Sequence, residues 1–246
     1  VCAEEGITVK TAMFADINGI SMGQRDAMLA NGVEFLYTNI HTHHGMYPLY
    51  QNQKPYFWEN EDGKRLLVWS GEHYNLGNAL GIVFNKNVNF MTENYFGKAQ
   101  GDAAGALEKL HSNLIASMEE YEENGYPYDF YITSVSGVFS DNAPINPSIA
   151  DTVALFNEKY SEEVTLRMVT LQELYDLIRN KVADAPVYRG AINDWWGNGV
   201  GSTPYAVKHY KEAVRLNRIC DRLEEKTGVH NAELVKAYGD NSLLYA

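Results

Sequence analysis

The sequence predicts an α/β protein in which each strand runs through a polar turn into a helix, with helices alone after residue 203. Three observations carry this reading. Short β-branched and apolar runs stop at turn residues, as Ile7 to Phe14 does before Asp16-Ile-Asn-Gly19. Between such runs lie stretches with apolar residues three and four apart, the clearest being Leu107, Leu110, Leu114, Met118 and Tyr121. Beyond Thr203-Pro204 no strand-like run recurs, so residues 1–202 form the α/β domain and 203–246 a helical appendage.

Taken in order, Ile7–Phe14 is a strand that leaves Asp16 at its C-terminal end. A helix from Ser21 to Ala30 follows, stopped by Asn31-Gly32, and a second strand, Val33–Thr38, leads into His41-Thr-His-His-Gly45. Asp62-Gly63 between Tyr56-Phe-Trp58 and Leu66-Leu-Val-Trp69 predicts a hairpin, expected as an insertion on the main fold. Gly77–Gly101 has no period and reads as a long loop with one short helix. The amphipathic helix Asp102–Glu123 ends at Asn124-Gly125, and Tyr128–Thr133 is the next strand. Asn146-Pro147 opens a helix to Tyr160; Val164–Val169 is a strand; Thr170-Leu-Gln-Glu173 is a capping box for the helix Leu171–Lys181. Thr203-Pro204 begins a helix reaching Lys226 and stopped by Gly228, with a shorter one over Asn231–Tyr238. Val1 is followed almost at once by a strand, so the chain is expected to be incomplete at its N-terminus.

Composition narrows the function. With 45% hydrophobic and 21% charged residues in 246, the chain can bury a full core. Its formal charge of −12 repels phosphate backbones and anionic lipid, which argues against nucleic acid and membrane partners and fits a neutral substrate such as a sugar. Cys2 and Cys220 are too few for a disulfide framework or a cysteine metal knot. No apolar run approaches the roughly 20 residues that cross a bilayer.

In parallel α/β folds ligands bind outside the carboxyl ends of the strands, so polar residues just past each strand are the candidates. These are Asp16, the His41/His43/His44 group, Ser140-Asp141-Asn142 and Asp194-Trp195-Trp196. A carboxylate pair such as Asp16 and Asp141 is what glycosidic cleavage requires, one as nucleophile or base and the other as proton donor. Trp195, Trp196 and Tyr205 offer flat faces of the kind that stack on sugar rings. Each has a plainer reading. An aspartate after a strand also caps a turn, and Asp-Asn-Ala-Pro before a helix is ordinary turn sequence. His41 and His43 share one face of an extended segment and either ligate a metal or stay solvated; the paired tryptophans either stack on sugar or pack at the rim.

Three stretches together resemble the catalytic domain of family 38 glycoside hydrolases, the α-mannosidases. Thr11–Ile20 followed by Gly32-Val-Glu-Phe-Leu36 resembles the strand that delivers the nucleophilic aspartate. Pro55–Glu59 with Asp62–Trp69 resembles a hairpin preceding a His-Tyr segment, here His73-Tyr74. Ser140–Pro144, the strand to Val169 and Thr170–Glu173 resemble the later part of that domain, while Asp194–Thr203 resembles bacterial relatives at the entry to a helical domain. The resemblance implies a (β/α)7-type barrel of family 38/57 kind, lacking its first strand here, and retaining hydrolysis of α-mannosides. It also implies a zinc ion that holds sugar hydroxyls. It makes Asp16 the nucleophile and a zinc ligand and Asp141 the acid/base; His41, His43, His73, Tyr74, Asp194, Trp195 and Trp196 are the expected substrate-binding residues. Two departures stand against the zinc. No histidine is followed two places later by aspartate, and the family's late His-His-Asp is replaced by Trp195-Trp196-Gly197-Asn198, leaving Asp16 as the one identifiable ligand. Either those ligands lie on a missing segment, or the chain is a homologue without the metal that binds carbohydrate without cleaving it. A polysaccharide deacetylase is a further alternative, disfavoured because no His-X-X-X-His spacing occurs and His41/His43 would have to substitute.

Overall fold

The computed structural model describes residues 4–15, 19–40, 47–83, 103–136, 146–192 and 203–245. The chain divides into two compact units, Val1–Trp195 and Trp196–Ala246.

The first unit is a mixed α/β layer structure. Its strands are β1 (Thr11–Ala15), β2 (Phe35–Asn39), β3 (Lys54–Glu59), β4 (Arg65–Gly71) and β5 (Val187–Tyr188), in the order β1-β2-β4-β3-β5. β1, β2 and β4 run parallel, in a register that aligns Ala15 with Asn39 and Asn39 with Gly71. β3 returns antiparallel to β4, pairing Lys54 with Ser70, and β5 lies parallel to β3. The start of β3 therefore lies at the rim where the three parallel strands end.

Side-chain alternation, with its period of two, divides the core between the faces of this sheet. Leu36, Tyr56, Trp58, Leu66 and Val68 pack on one face with Ile20 and Ile192, covered by Met28 and Leu29 of α1 (Met22–Ala30). Phe35, Tyr37, Leu67 and Trp69 pack on the other, with Ile132, and with Leu174 and Ile178 of α5 (Leu171–Ile178). With both faces covered, every residue of β2 is buried, as parallel strands require. A third cluster joins Leu80 of α2 (Leu76–Leu80), Leu110 and Leu114 of α3 (Ala103–Glu123) and Ile149 and Phe156 of α4 (Ser148–Tyr160). Each fully buried side chain of this size contributes about 1.5–3 kcal/mol relative to exposure.

Local sequence accounts for the boundaries. Ser21 and Gln24 form a reciprocal capping box at α1, as Thr170 and Glu173 do at α5. Asn146 Oδ1 accepts from Ser148 N at 3.1 Å, satisfying one N-terminal donor of α4. The β3–β4 turn places Gly63 at φ 74°. Arg25 of α1 is buried over Trp58, its guanidinium 5.5 Å from the ring centroid and donating to Glu59 O at 2.8 Å.

Within the first unit the structure departs from the sequence expectation in two respects. The hairpin is no insertion: β4 lies between β2 and β3, with Leu66, Val68 and Trp69 wholly buried. Tyr128–Thr133 and Val164–Val169, expected as strands, join no ladder. Backbone groups in them are met by other partners: Ile132 O by Gln53 Nε2 at 2.8 Å, and Leu166 N and O by the Asn157 amide, each at 2.8 Å; the adjoining Ser134 O accepts from Gly77 N at 2.9 Å. Among the described residues the sheet has five strands, with β1 and β5 at its edges.

The second unit contains α6 (Pro204–Thr227), ended by Gly228 in the left-handed conformation at φ 68°, and α7 (Ala232–Tyr245), which runs past the expected stop at Tyr238. No described helix is long and apolar enough to cross a membrane.

Candidate functional site

The register of the parallel strands brings three chain exits to one rim: after Ala15, after Asn39 and after Gly71. The approach to β3 carries Tyr47, Asn52 and Gln53 to the same rim, because Lys54 pairs with Ser70.

Of the residues singled out from sequence, Asp16, His41, His43, Asp141, Asp194, Trp195 and Trp196 lie outside the described residues. His73 and Tyr74 are described. They follow β4 after Glu72, half-buried, with their rings 4.1 Å apart and tilted by 32°. His73 Nδ1 accepts from Asn75 N at 3.2 Å and also lies against Asn75 Oδ1.

Around this pair stands a group of polar side chains. Asn39, buried at the end of β2, donates from Nδ2 to Glu72 O at 2.7 Å and to Tyr37 Oη at 3.3 Å. Tyr37 Oη is 3.0 Å from Ser134 Oγ. Asn39 Oδ1 is buried and accepts no hydrogen bond from the described residues. Glu72 Oε1 accepts from Asn52 Nδ2 at 2.6 Å and from the Tyr121 hydroxyl, which α3 presents.

Two glycines allow these elements to close on one another. A Cβ on Gly71 would stand 2.9 Å from Tyr37 Oη, and one on Gly77 would stand 2.6 Å from Val135 Cγ1 and 2.8 Å from Ser134 O. Asn78 then holds Ser136 from both sides, accepting from its N at 2.9 Å and donating to its O at 3.3 Å.

The phenols of the site are held protonated. Burial, followed by the hydrogen bond to Glu72, pushes the Tyr121 hydroxyl well above its ordinary range. Burial, with the Glu72 carboxylate nearby, raises Tyr47 to about 12. Burial raises Tyr37 and Tyr131 as well. Among the described residues the rim therefore offers phenol donors, the Glu72 carboxyl group as an acceptor and aromatic faces, with Tyr121 and Tyr131 centroids 5.3 Å apart. That chemistry suits a neutral, hydroxyl-rich ligand better than an anion. Among the described residues no group of three or more His, Cys, Asp or Glu is placed to hold a metal; Asp16, the zinc ligand that the resemblance implies, lies outside them.

Sequence reasoning missed Asn39, Asn52, Glu72 and Tyr121. Glu72 stands next to the His73-Tyr74 pair, and Tyr121 falls among the apolar positions of the amphipathic helix. Nothing local distinguishes Asn52.

No family model matches this chain, and no curated protein matches it by sequence. Among solved structures, an α-mannosidase from Enterococcus faecalis V583 is similar over 78% of this chain, with a TM-score of 0.52 and 16% sequence identity. The matched region is 19% of that protein's length. The likeness is one of fold, a mixed α/β arrangement shared with part of an α-mannosidase.

Proposed function

We propose that the chain is part of a glycoside hydrolase acting on α-mannosides or related glycans by a retaining two-carboxylate mechanism, on a domain of (β/α)7-type barrel architecture. The observation that carries this is the common rim. Ala15, Asn39 and Gly71 end in register, the rim is lined by hydroxyl-directed groups, and Asp16 is the next residue in the chain after Ala15. The fold likeness to an α-mannosidase supports the same substrate class.

In this reading the Asp16 carboxylate attacks the anomeric carbon while Asp141 protonates the leaving glycosidic oxygen. The C–O bond breaks and a glycosyl ester forms on Asp16. Asp141, now a carboxylate, takes a proton from water; the water attacks the anomeric carbon and frees Asp16. Such a pair works with its carboxyls about 5–5.5 Å apart. His73 and Tyr74 serve as sugar-binding residues beyond β4, and His41, His43, Asp194, Trp195 and Trp196 are assigned the same role. The test is Asp16→Asn in the full-length protein, assayed on aryl α-mannosides: turnover is expected to fall by several orders of magnitude, and unchanged turnover removes the assignment.

A second reading, a carbohydrate-binding homologue without hydrolysis, is favoured by one observation. The described rim offers hydroxyl-binding groups that need no metal, while only Asp16 of the family's zinc ligands has a counterpart here. Calorimetry with mannosides, with and without added zinc, separates the two: zinc-independent binding with no hydrolysis supports the second.

A further inference from the structure

Glu72 has the features of a ligand-facing carboxylate rather than of a structural ion pair. Its main chain is held at the end of β4 by Asn39, whose Nδ2 donates to Glu72 O at 2.7 Å. Its side chain is oriented from two further elements, Asn52 on the approach to β3 and Tyr121 on α3, both donating to the same oxygen, Oε1. Three independent tethers leave the carboxylate little rotational freedom to lose when a ligand arrives. Glu72 forms no ion pair among the described residues, unlike Glu59, which is clamped between Arg65 and Arg189. Its second oxygen, Oε2, accepts no hydrogen bond from them either, although the residue is only half-buried and has Tyr121 and His73-Tyr74 beside it. An ionised carboxylate has about four lone-pair positions, and those on Oε2 call for donors. Among the described residues its neighbours include phenols that stay protonated and no Lys or Arg ion-pair partner, an environment that matches neutral hydroxyl donors.

We infer that Glu72 is a specificity-determining residue, its Oε2 accepting hydrogen bonds from adjacent hydroxyls of a sugar bound at the rim where β2 and β4 end. This rests on the glycan reading above and names a contact within that site. The Tyr121 and Asn52 donors fix the carboxylate through Oε1, and the substrate's hydroxyls donate to Oε2.

The experiment is calorimetric titration of the full-length protein with methyl α-mannoside, for wild type, Glu72→Gln and Tyr121→Phe, together with each protein's melting temperature. Glu72→Gln keeps an Oε1 acceptor for Asn52 and Tyr121 but turns the free acceptor face into a donor. Its affinity is expected to fall about 10- to 100-fold, the worth of a hydrogen bond to a charged group, with little change in melting temperature. Should that variant fail to fold, Tyr121→Phe decides, with an expected loss of about 5-fold from a less firmly held carboxylate. Wild-type binding that survives unchanged in whichever variant is folded overturns the role of Glu72 and leaves the glycan reading standing. A wild-type protein that gives no binding overturns both.

Discussion

Trp69 Nε1 donates to Gln53 Oε1 at 3.1 Å, and both side chains are wholly removed from solvent. Gln53 in turn donates from Nε2 to Ile132 O at 2.8 Å, so one amide joins the central strand to a segment that has no ladder of its own. Gln53 holds this place with φ at 49°, a conformation that β-carbon-bearing residues seldom adopt.

Gln53→Ala is expected to leave Trp69 Nε1 and Ile132 O buried without partners. Each such group costs about 1–3 kcal/mol, so the expected loss is roughly 3 kcal/mol or more. Urea unfolding monitored by tryptophan fluorescence measures it; a loss below about 1 kcal/mol would mean that water replaces the amide at little cost.

Gly77 and Gly239 are expected to respond to alanine with opposite signs. At Gly77 the new methyl would meet Val135 Cγ1 at 2.6 Å and backbone Ser134 O at 2.8 Å, forcing the 134–136 segment away at a cost of about 1–3 kcal/mol. At Gly239, inside α7, nothing lies within 4 Å of the added carbon, and alanine should stabilise that helix by about 0.5–1 kcal/mol. Paired thermal melts of G77A and G239A test the contrast. Equal shifts would show that the close approach at Gly77 yields easily.

Acid sensitivity is expected at Glu59. Hydrogen bonds from Arg65 first and Arg189 second hold its carboxyl below the ordinary glutamate value. A depressed folded value means the unfolded state takes up the proton first. The contribution of this cluster is therefore present above the ordinary value of 4.5 and is lost as pH falls through the folded value beneath it. Melting temperatures of wild type and Glu59→Gln should differ by a constant amount above about pH 5.5 and converge towards pH 3. A gap that persists undiminished at pH 3 would show that the carboxylate acts by packing rather than charge.

The elements legible in the chain were those with short-range causes. Ser21 with Gln24 and Thr170 with Glu173 are three residues apart, and their caps form wherever a helix starts there. Gly63 and Gly228 mark turns by their own conformational freedom. The three- and four-residue spacing of α3 placed Leu110 and Leu114 in a core. The same locality explains the misreadings. Tyr128–Thr133 alternates as a strand does, with Tyr128, Phe130 and Ile132 on one core and Tyr131 on another, yet alternation records two-sided burial, not a ladder partner.

The candidate site was legible only as a neighbourhood. His73 and Tyr74 stand at the rim in the structure, while Asp16 and Asp141 lie outside the described residues. The groups that organise the rim come from distant parts of the chain, Glu72 and Tyr121 being 49 positions apart and Gln53 and Ile132 79 apart.

Helix limits, caps, turns and the alternation of apolar residues follow from the chain alone, because each depends on groups within a few positions of one another. The order of the strands, the central place of β4 and the setting of Glu72 belong to the folded state, because parallel pairing and buried side-chain hydrogen bonds join residues whose separation carries no local signature.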